Sequence, residues 1–577
     1  MSNSKTNYKK RKFGGGKSKS GRWNSEKKSK KNVVPPTKKE RKLARSHGEE
    51  VERAKAVWNK ARQKKVKKED RSNYVTEILD IIGDVLAKVS SRHDSSRIVQ
   101  FCAQHGTVSQ QGQILSAIET DLIQLCKVTH GRFLVQKMFA CFKDEKLRKQ
   151  LLKLFEGKIV TLSMHATGAL VVEHLFLEGL SNKEQKFIFQ EFYGAEFRHF
   201  KRNKRCSLRE IVEDEPKKID DIAEQLKTIV KKHCEKGLLS LSFVHRLMFE
   251  LLHELYPSHS IKCRDLCLLM LPYVKEVAPA MCTTRKGTQS LVRCIAYASS
   301  KDRKRIVKCF KDDMFKDNEP GLAQHPFAHL ALLKLLDVVD DTKLIRKFVL
   351  KSLKENLQVA CFDRYARKLL LHIMSPRNTK YFTPSDIELL SRVHVEMEDG
   401  EKVSMSRKDD KVRRSELLGD IQDALVSFCE ANASTMSRSR LACDILVETA
   451  PHMSVSSLVN AAFSRESSEE EENTSSVLVC DRYGQRVVSR ILRSENTDAF
   501  ATELLIRLKL EKKNLMAWIQ MQKETAFLVL SLLQKECTSK SVRQEVSMGE
   551  LKDYVAGCDE ENKNLGAIAL VKELSKN

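Results

Sequence analysis

The chain has 577 residues, 31% charged and 41% hydrophobic, which fits several domains or one long repeat array better than a single compact core. It has no apolar run of the roughly 18 residues that a membrane span needs, and Met1 to Lys12 is polar and basic, so membrane-spanning and secreted proteins are disfavoured. The net charge of +27 is uneven: residues 1–71 hold 26 basic and 7 acidic side chains, placing +19 of it there (26 − 7). The 16 cysteines are scattered through apolar stretches without a CxxC pair, Cys263 and Cys267 being the closest two. Buried reduced thiols explain this better than disulfides or zinc, so neither metal nor cofactor is expected.

Residues 1–71 contain Gly14-Gly15-Gly16, Pro35-Pro36 and the basic clusters Lys9, Lys10, Arg11, Lys12 and Lys27-Lys28. Few large apolar residues accompany them, so this segment is expected to be a disordered basic tail. The clusters read as a nuclear or nucleolar address, and dense positive charge gains affinity for nucleic acid by releasing its counterions. Between Lys38 and Lys68, the pattern Leu43, Val51, Val57, Ala61 supports a helix.

From Tyr74 onward, apolar residues recur at three- and four-residue spacing, the signature of amphipathic helices. Ile78, Leu79, Ile82, Leu86 and Val89 form one stripe. Ile98, Val99, Phe101 and Cys102 begin the next after a Ser-Ser-Arg-His-Asp-Ser-Ser break. Strand-like alternation is rare, so the body is expected to be all-α. Residues ahead of an apolar helix recur at Arg97, Arg132, Ala169, Arg209, His245, Gln289, His329 and Arg367, roughly 35 to 44 residues apart. Leu441, Gln485 and Ala526 extend the series, and the stretch between Arg367 and Leu441 has room for one more unit. Repeats this short cannot bury their own apolar faces and stack into an α-solenoid. The expected division is a tail at 1–71, helical repeats at 72–380 and further repeats at 381–577.

Several segments carry candidate nucleic-acid contacts. Arg198-His199-Phe200-Lys201-Arg202-Asn203-Lys204-Arg205 mixes cations with an aromatic ring, the composition of a surface that tracks phosphates and stacks bases. Arg198, Lys201, Arg202, Lys204 and Arg205 are the phosphate candidates there, joined by Arg285, Lys286, Arg293 and Lys368 further on. The run Glu466-Ser467-Ser468-Glu469-Glu470-Glu471-Glu472 reads as an exposed acidic loop whose serines could accept phosphate. Trp518 reads as packing between terminal repeats. No GxxxxGK[ST], GxSxG or HExxH motif occurs, so no enzymatic activity is expected.

His93-Asp94-Ser95-Ser96-Arg97-Ile98-Val99-Gln100 resembles the inner helix of a Pumilio (PUF) repeat. The resemblance implies that Ser96, Arg97 and Gln100 face RNA, the guanidinium stacking between bases while hydroxyl and amide reach a base edge. By the same likeness Arg132, His245, Gln289, His329 and Arg367 are base-facing candidates. Aligning Gly131-Arg132-Phe133-Leu134-Val135, Gly168-Ala169-Leu170-Val171-Val172 and Ala328-His329-Leu330-Ala331-Leu332 puts Val135, Val172 and Leu332 where Gln should stand. Direct readout of bases is therefore expected to fail over most of the array.

Phe243-Val244-His245-Arg246, Lys301 to Lys308 and above all Asp363 to His372 followed by Ser375-Pro376-Arg377 resemble the divergent Puf-A, or penguin-like, branch with its CPL domain. That likeness runs over most of residues 74–577. It implies an L-shaped array of about eleven PUF-like repeats and a nucleolar role in precursor ribosomal RNA processing and large-subunit biogenesis. Implied partners are RNA, DNA and pre-60S proteins, bound by a monomer through basic surfaces with little sequence preference and without a membrane. The alternatives are a sequence-specific messenger RNA repressor and a helical-repeat protein scaffold.

Overall fold

The computed structural model describes residues 43, 45–201, 207–256, 261–391, 393–396, 402–464, 477–480, 482–512, 514–521, 523–558 and 563–576. These residues form an all-α helical-repeat fold whose regular β-structure is one small antiparallel hairpin, His394–Glu396 against Lys402–Ser404, with Val395 opposite Val403. They divide into two compact units, residues 1–85 and 86–577.

In the first unit, helix Gly48–Ala61 buries Val51, Ala54, Val57 and Ala61, one stripe at helical spacing, and packs on helix Lys68–Ile82. Regular structure thus begins inside the segment that composition assigns to a disordered tail. The cue was the apolar pattern at Val51, Val57 and Ala61, whereas Leu43 lies exposed. Lys9, Lys10, Arg11 and Lys12 lie outside the described residues.

The second unit contains a chain of eleven helices, each in contact with the next: Ser96–His105, Gly131–Cys141, Ala166–His174, Ser242–Phe249, Arg285–Tyr297, Ala328–Val338, Arg367–Met374, Ala442–Thr449, Arg482–Leu492, Lys523–Leu533 and Leu565–Leu574. One local device recurs where these inner helices begin. A Cβ at Gly131, Gly168, Gly287 or Gly484 would meet the carbonyl oxygen six residues earlier at 2.7, 2.6, 2.3 and 2.3 Å, so only glycine fits that close approach. Where glycine is absent a side chain satisfies the same carbonyl: Ser95 Oγ donates to Val89 O at 2.7 Å, and the His245 ring lies 2.6 Å from Leu239 O. Outer helices are set by caps, as at Thr107 with Gln110 and Ser181 with Glu184, where side chains and backbone N–H groups bond reciprocally.

Two elements depart from the expected spacing. Arg209 marks no inner helix; it sits on the short helix Leu208–Asp214, capped by Ser207 and Glu210, and helix Ala166–His174 touches Ser242–Phe249 directly. Between Arg367 and Leu441 there is no further unit either, because helix Arg367–Met374 packs against Ala442–Thr449. The intervening chain instead forms the hairpin and a 29-residue helix, Asp410–Arg438, burying Leu417, Ile421, Leu425, Cys429, Ala433 and Met436 along one edge. That helix contacts Leu357–Phe362 and Arg367–Met374 on the one hand and Ala442–Thr449, Val455–Ala462 and Arg482–Leu492 on the other, so the expected boundary at 380/381 is bridged. Trp518 is buried and donates from its indole to Leu508 O at 2.8 Å.

Candidate nucleic-acid interface

On the first three inner helices, burial sets the register. Arg97 is exposed and followed by buried Ile98 and Val99; Phe133 is exposed and followed by buried Leu134 and Val135; Leu170 is exposed and followed by buried Val171 and Val172. The equivalents of Arg97 are therefore Phe133 and Leu170, one residue beyond the alignment made from sequence. The correction moves Gln136 and Glu173, not Val135 and Val172, into the position of Gln100. Side chains also tie these repeats together: Ser96 Oγ donates to His130 O at 3.0 Å and Gln136 Nε2 to Leu170 O at 3.3 Å.

The row Arg97, Phe133, Leu170 is an exposed strip on adjoining helices, and the Arg132 guanidinium lies over the Phe133 ring at 4.7 Å. The polar members of the strip are partly engaged within the protein. Gln100 Nε2 donates to Ser96 Oγ at 2.9 Å, while Glu173 accepts from the N–H groups of Ser242 and Phe243 at 2.8 and 3.2 Å and so caps the next inner helix. Stacking planes are presented to solvent here more freely than base-edge donors.

Further along, the same side-chain types are absorbed by the fold. His245 is fully buried between Leu239 O and Thr284 Oγ1 (2.8 Å), and burial lowers its pKa. His329 is 2% exposed, holds His325 O at 3.0 Å, and is pushed down to about 4 by burial. Neither ring can lie against a base. Arg293 reaches Leu252 O, Tyr256 O and His253 Nδ1 at 3.4, 3.3 and 3.2 Å. Arg367 is paired with Asp444 and Leu441 O, and Lys368 with Asp386 at 3.4 Å, both part-buried. Lys286 lies half-buried over the Phe249 ring, with burial and then Arg246 lowering its pKa. Gln289 is half-buried between buried Thr288 and Ser290. Of this group Arg285 alone is exposed, touching Ser385 Oγ at 3.4 Å. Arg303, next to exposed Lys304, is buried and donates to Ile295, Ala296, Val338 and Met405 carbonyls.

The basic segment beginning at Arg198 is split. Phe200 is 77% exposed and Arg198 half-buried, but Lys201 Nζ is buried 2.6 Å from Glu191, which also accepts from Gly157 N and Ile159 N. Lys201 is a structural cation and not a phosphate contact. Arg202, Lys204 and Arg205 lie outside the described residues, as do Ser467 and Ser468 in the acidic run.

One basic site was missed by sequence reasoning. A cleft of about 500 Å³ is lined, among the described residues, by Ser437, Arg438, Ser439, Arg440, Cys443, Arg482, Tyr483, Arg486, Val487 and Arg490, five arginines and no acidic residue. Arg482, Arg486 and Arg490 recur at four-residue spacing on one helix, about 6 Å apart along its axis. That spacing is visible in sequence, but Arg438 and Arg440 come from a separate element more than forty residues away. Arg440 lies over the Tyr483 ring at 4.9 Å and donates to its Oη, leaving Tyr483 43% exposed. Arg438 is held by Ser434 and Ser464, and Arg490 by Asp444 at 2.8 Å. Arg482 and Arg486 are exposed, without a hydrogen bond or ion pair among the described residues.

A chain of short helix units with an exposed inner strip and a basic cleft defines a helical-repeat protein. Residues 362–500 match the CPL (NUC119) domain, which contains the arginine cleft. The chain is 28% identical to human Pumilio homolog 3 over 73% of its own length and 62% of that protein's. It is 27% identical to Pumilio homology domain family member 6 of Schizosaccharomyces pombe over 88% of this chain and 78% of that one. The fold resembles the crystal structure of human Puf-A with a TM-score of 0.72 and 24% identity, covering 91% of this chain and 99% of that one. A crystal structure of human Puf-A in complex with DNA matches equally well, with 92% and 100% covered. These similarities support a place for the chain beside the divergent Puf-A branch of the Pumilio-like repeat proteins.

Proposed function

We propose that this protein is a nucleic-acid-binding helical-repeat protein that holds precursor ribosomal RNA in the nucleolus during large-subunit maturation. In this reading it acts as a monomer beside pre-60S proteins and binds by charge and stacking more than by sequence. The observation that carries it is the exposed strip Arg97, Phe133 and Leu170, with the Arg132 guanidinium over the Phe133 ring, because aromatic and guanidinium planes accept any base. The existence of a crystal structure of human Puf-A in complex with DNA supports nucleic acid as the ligand class. The +19 carried by residues 1–71 adds sequence-independent attraction. Crosslinking the protein to RNA in cells and sequencing the bound fragments tests this: reads concentrated on precursor ribosomal RNA are expected. Reads on messenger RNA untranslated regions around one motif would overturn it.

One observation favours a sequence-reading alternative. The corrected register returns Gln136 to the place of Gln100, giving two consecutive repeats an amide at the base-edge position. A messenger RNA repressor of the Pumilio type would prefer a short motif over scrambled RNA by about a thousandfold or more. Near-equal competition favours the ribosomal reading.

A further inference from the structure

We infer that the arginine cleft between helices Ala442–Thr449 and Arg482–Leu492 is a second, separate nucleic-acid site that takes an unpaired segment of RNA. One base stacks on Tyr483, and the flanking phosphates lie on Arg482 and Arg486. The inference deepens the proposed function and rests on nucleic acid being the ligand.

Four features point to this occupant. The cations are all arginine, whose planar fork suits phosphate oxygens and whose face stacks on rings. Among the described residues no carboxylate lines the cleft, and Asp444 beside it is already shared by Arg367 and Arg490. The guanidinium of Arg440 fixes the Tyr483 ring, so a solvent-exposed aromatic plane is pre-positioned among cations. A phosphorylated side chain would use the arginines but leave that plane idle, whereas a nucleotide uses both. Finally, a cavity of about 500 Å³ is of the size that holds one flipped-out nucleotide, and a base paired within a duplex offers no free face to the ring.

Arg482, Arg486 and Arg490 lie on one helix face with successive cations about 6 Å apart, a ladder that an extended backbone can follow. Arg438, bonded to Ser434 and Ser464, and Arg490, bonded to Asp444, form the fixed walls. Arg482 and Arg486 are the cations left to meet the ligand.

The test uses the full chain and a short uridine-rich RNA. Ultraviolet crosslinking followed by peptide mapping is expected to label the peptide carrying Tyr483. The label should survive in Tyr483→Phe, which keeps the ring, and vanish in Tyr483→Ala, with affinity falling about tenfold. The double variant Arg482→Gln, Arg486→Gln should reduce the slope of log binding constant against log salt by about 1.4, at ~0.7 per phosphate contact on a single strand. Unchanged melting curves for these exposed positions separate lost binding from lost folding. If Phe133 peptides crosslink while the cleft stays unlabelled and the slope is unchanged, the cleft site is overturned and the proposed function stands. If neither region crosslinks, nucleic-acid binding itself falls. Should the double variant lose a phosphoserine peptide while keeping RNA, the ligand is a phosphoprotein and the inference is wrong.

Discussion

The inner helices at residues 96–174 and those at 242–374 occupy the same place in consecutive repeats, yet they use the same kinds of side chain for opposite ends. In the first group Arg97, Phe133 and Leu170 stand in solvent. In the second, His245, Arg293, His329, Arg367 and Lys368 are taken up by carbonyls, carboxylates and hydroxyls of the protein itself. A cation or imidazole at a repeat position thus says little about ligand binding until its burial is known. Substitutions in the second group should cost stability, whereas those in the first should cost affinity.

The sharpest test of that division is Arg303. Its guanidinium is buried and serves four carbonyls, so Arg303→Ala strands buried acceptors and should destabilise the protein by about 3–5 kcal/mol in denaturant titration, with RNA affinity of the folded fraction unchanged. An affinity loss with stability intact would break the comparison. Next in size is an acid effect. The folded pKa of His329 is pushed down to about 4 by burial, while the unfolded chain titrates near the ordinary value of 6.5. As pH falls through that window the unfolded state takes up a proton that the folded state does not, so stability drops. At pH 5 the loss is about 2 kcal/mol for this group. His233, also held at about 4 by burial, acts in the same direction. Melting curves of His329→Gln against the parent at pH 7 and pH 5 should show a weaker pH dependence in the variant.

Smaller effects are expected on the exposed strip. Phe133→Ala removes a stacking plane and should weaken single-stranded RNA binding about tenfold, measured by anisotropy, with melting temperature nearly unchanged. Arg97→Gln should lower the salt slope by about 0.7 without altering stability. If both variants bind as the parent does, the strip is solvent-facing but idle.

Helix type and repeat length were legible in sequence because apolar spacing reports directly on which face is buried. In the first repeat Arg97 is exposed as expected, but Ser96, expected to face RNA, is only 2% exposed and donates to His130 O. The register of the next two repeats was not legible, since Gly131-Arg132-Phe133 and Gly168-Ala169-Leu170 align equally well one residue earlier. Only exposure distinguishes Phe133 from Arg132. Arg209 failed as a marker because a capped outer helix has the same local pattern as an inner one. Lys201 was misread for a related reason: its partner Glu191 belongs to a neighbouring turn, and composition does not report ion pairing. The arginine cleft escaped because its two walls, around Arg440 and Arg486, become neighbours only through stacking of the repeats.

The long helix Asp410–Arg438 alters how such an array comes apart. In a plain solenoid each unit touches only its neighbours, so the ends fray and local opening stays local. Here one rod is packed on helices from both sides of the seventh and eighth inner helices, Arg367–Met374 and Ala442–Thr449. Amide hydrogens of the helices it touches, Leu357–Phe362, Arg367–Met374, Ala442–Thr449, Val455–Ala462 and Arg482–Leu492, are therefore expected to exchange as one cooperative unit, a slow-opening block whose far end carries the arginine cleft.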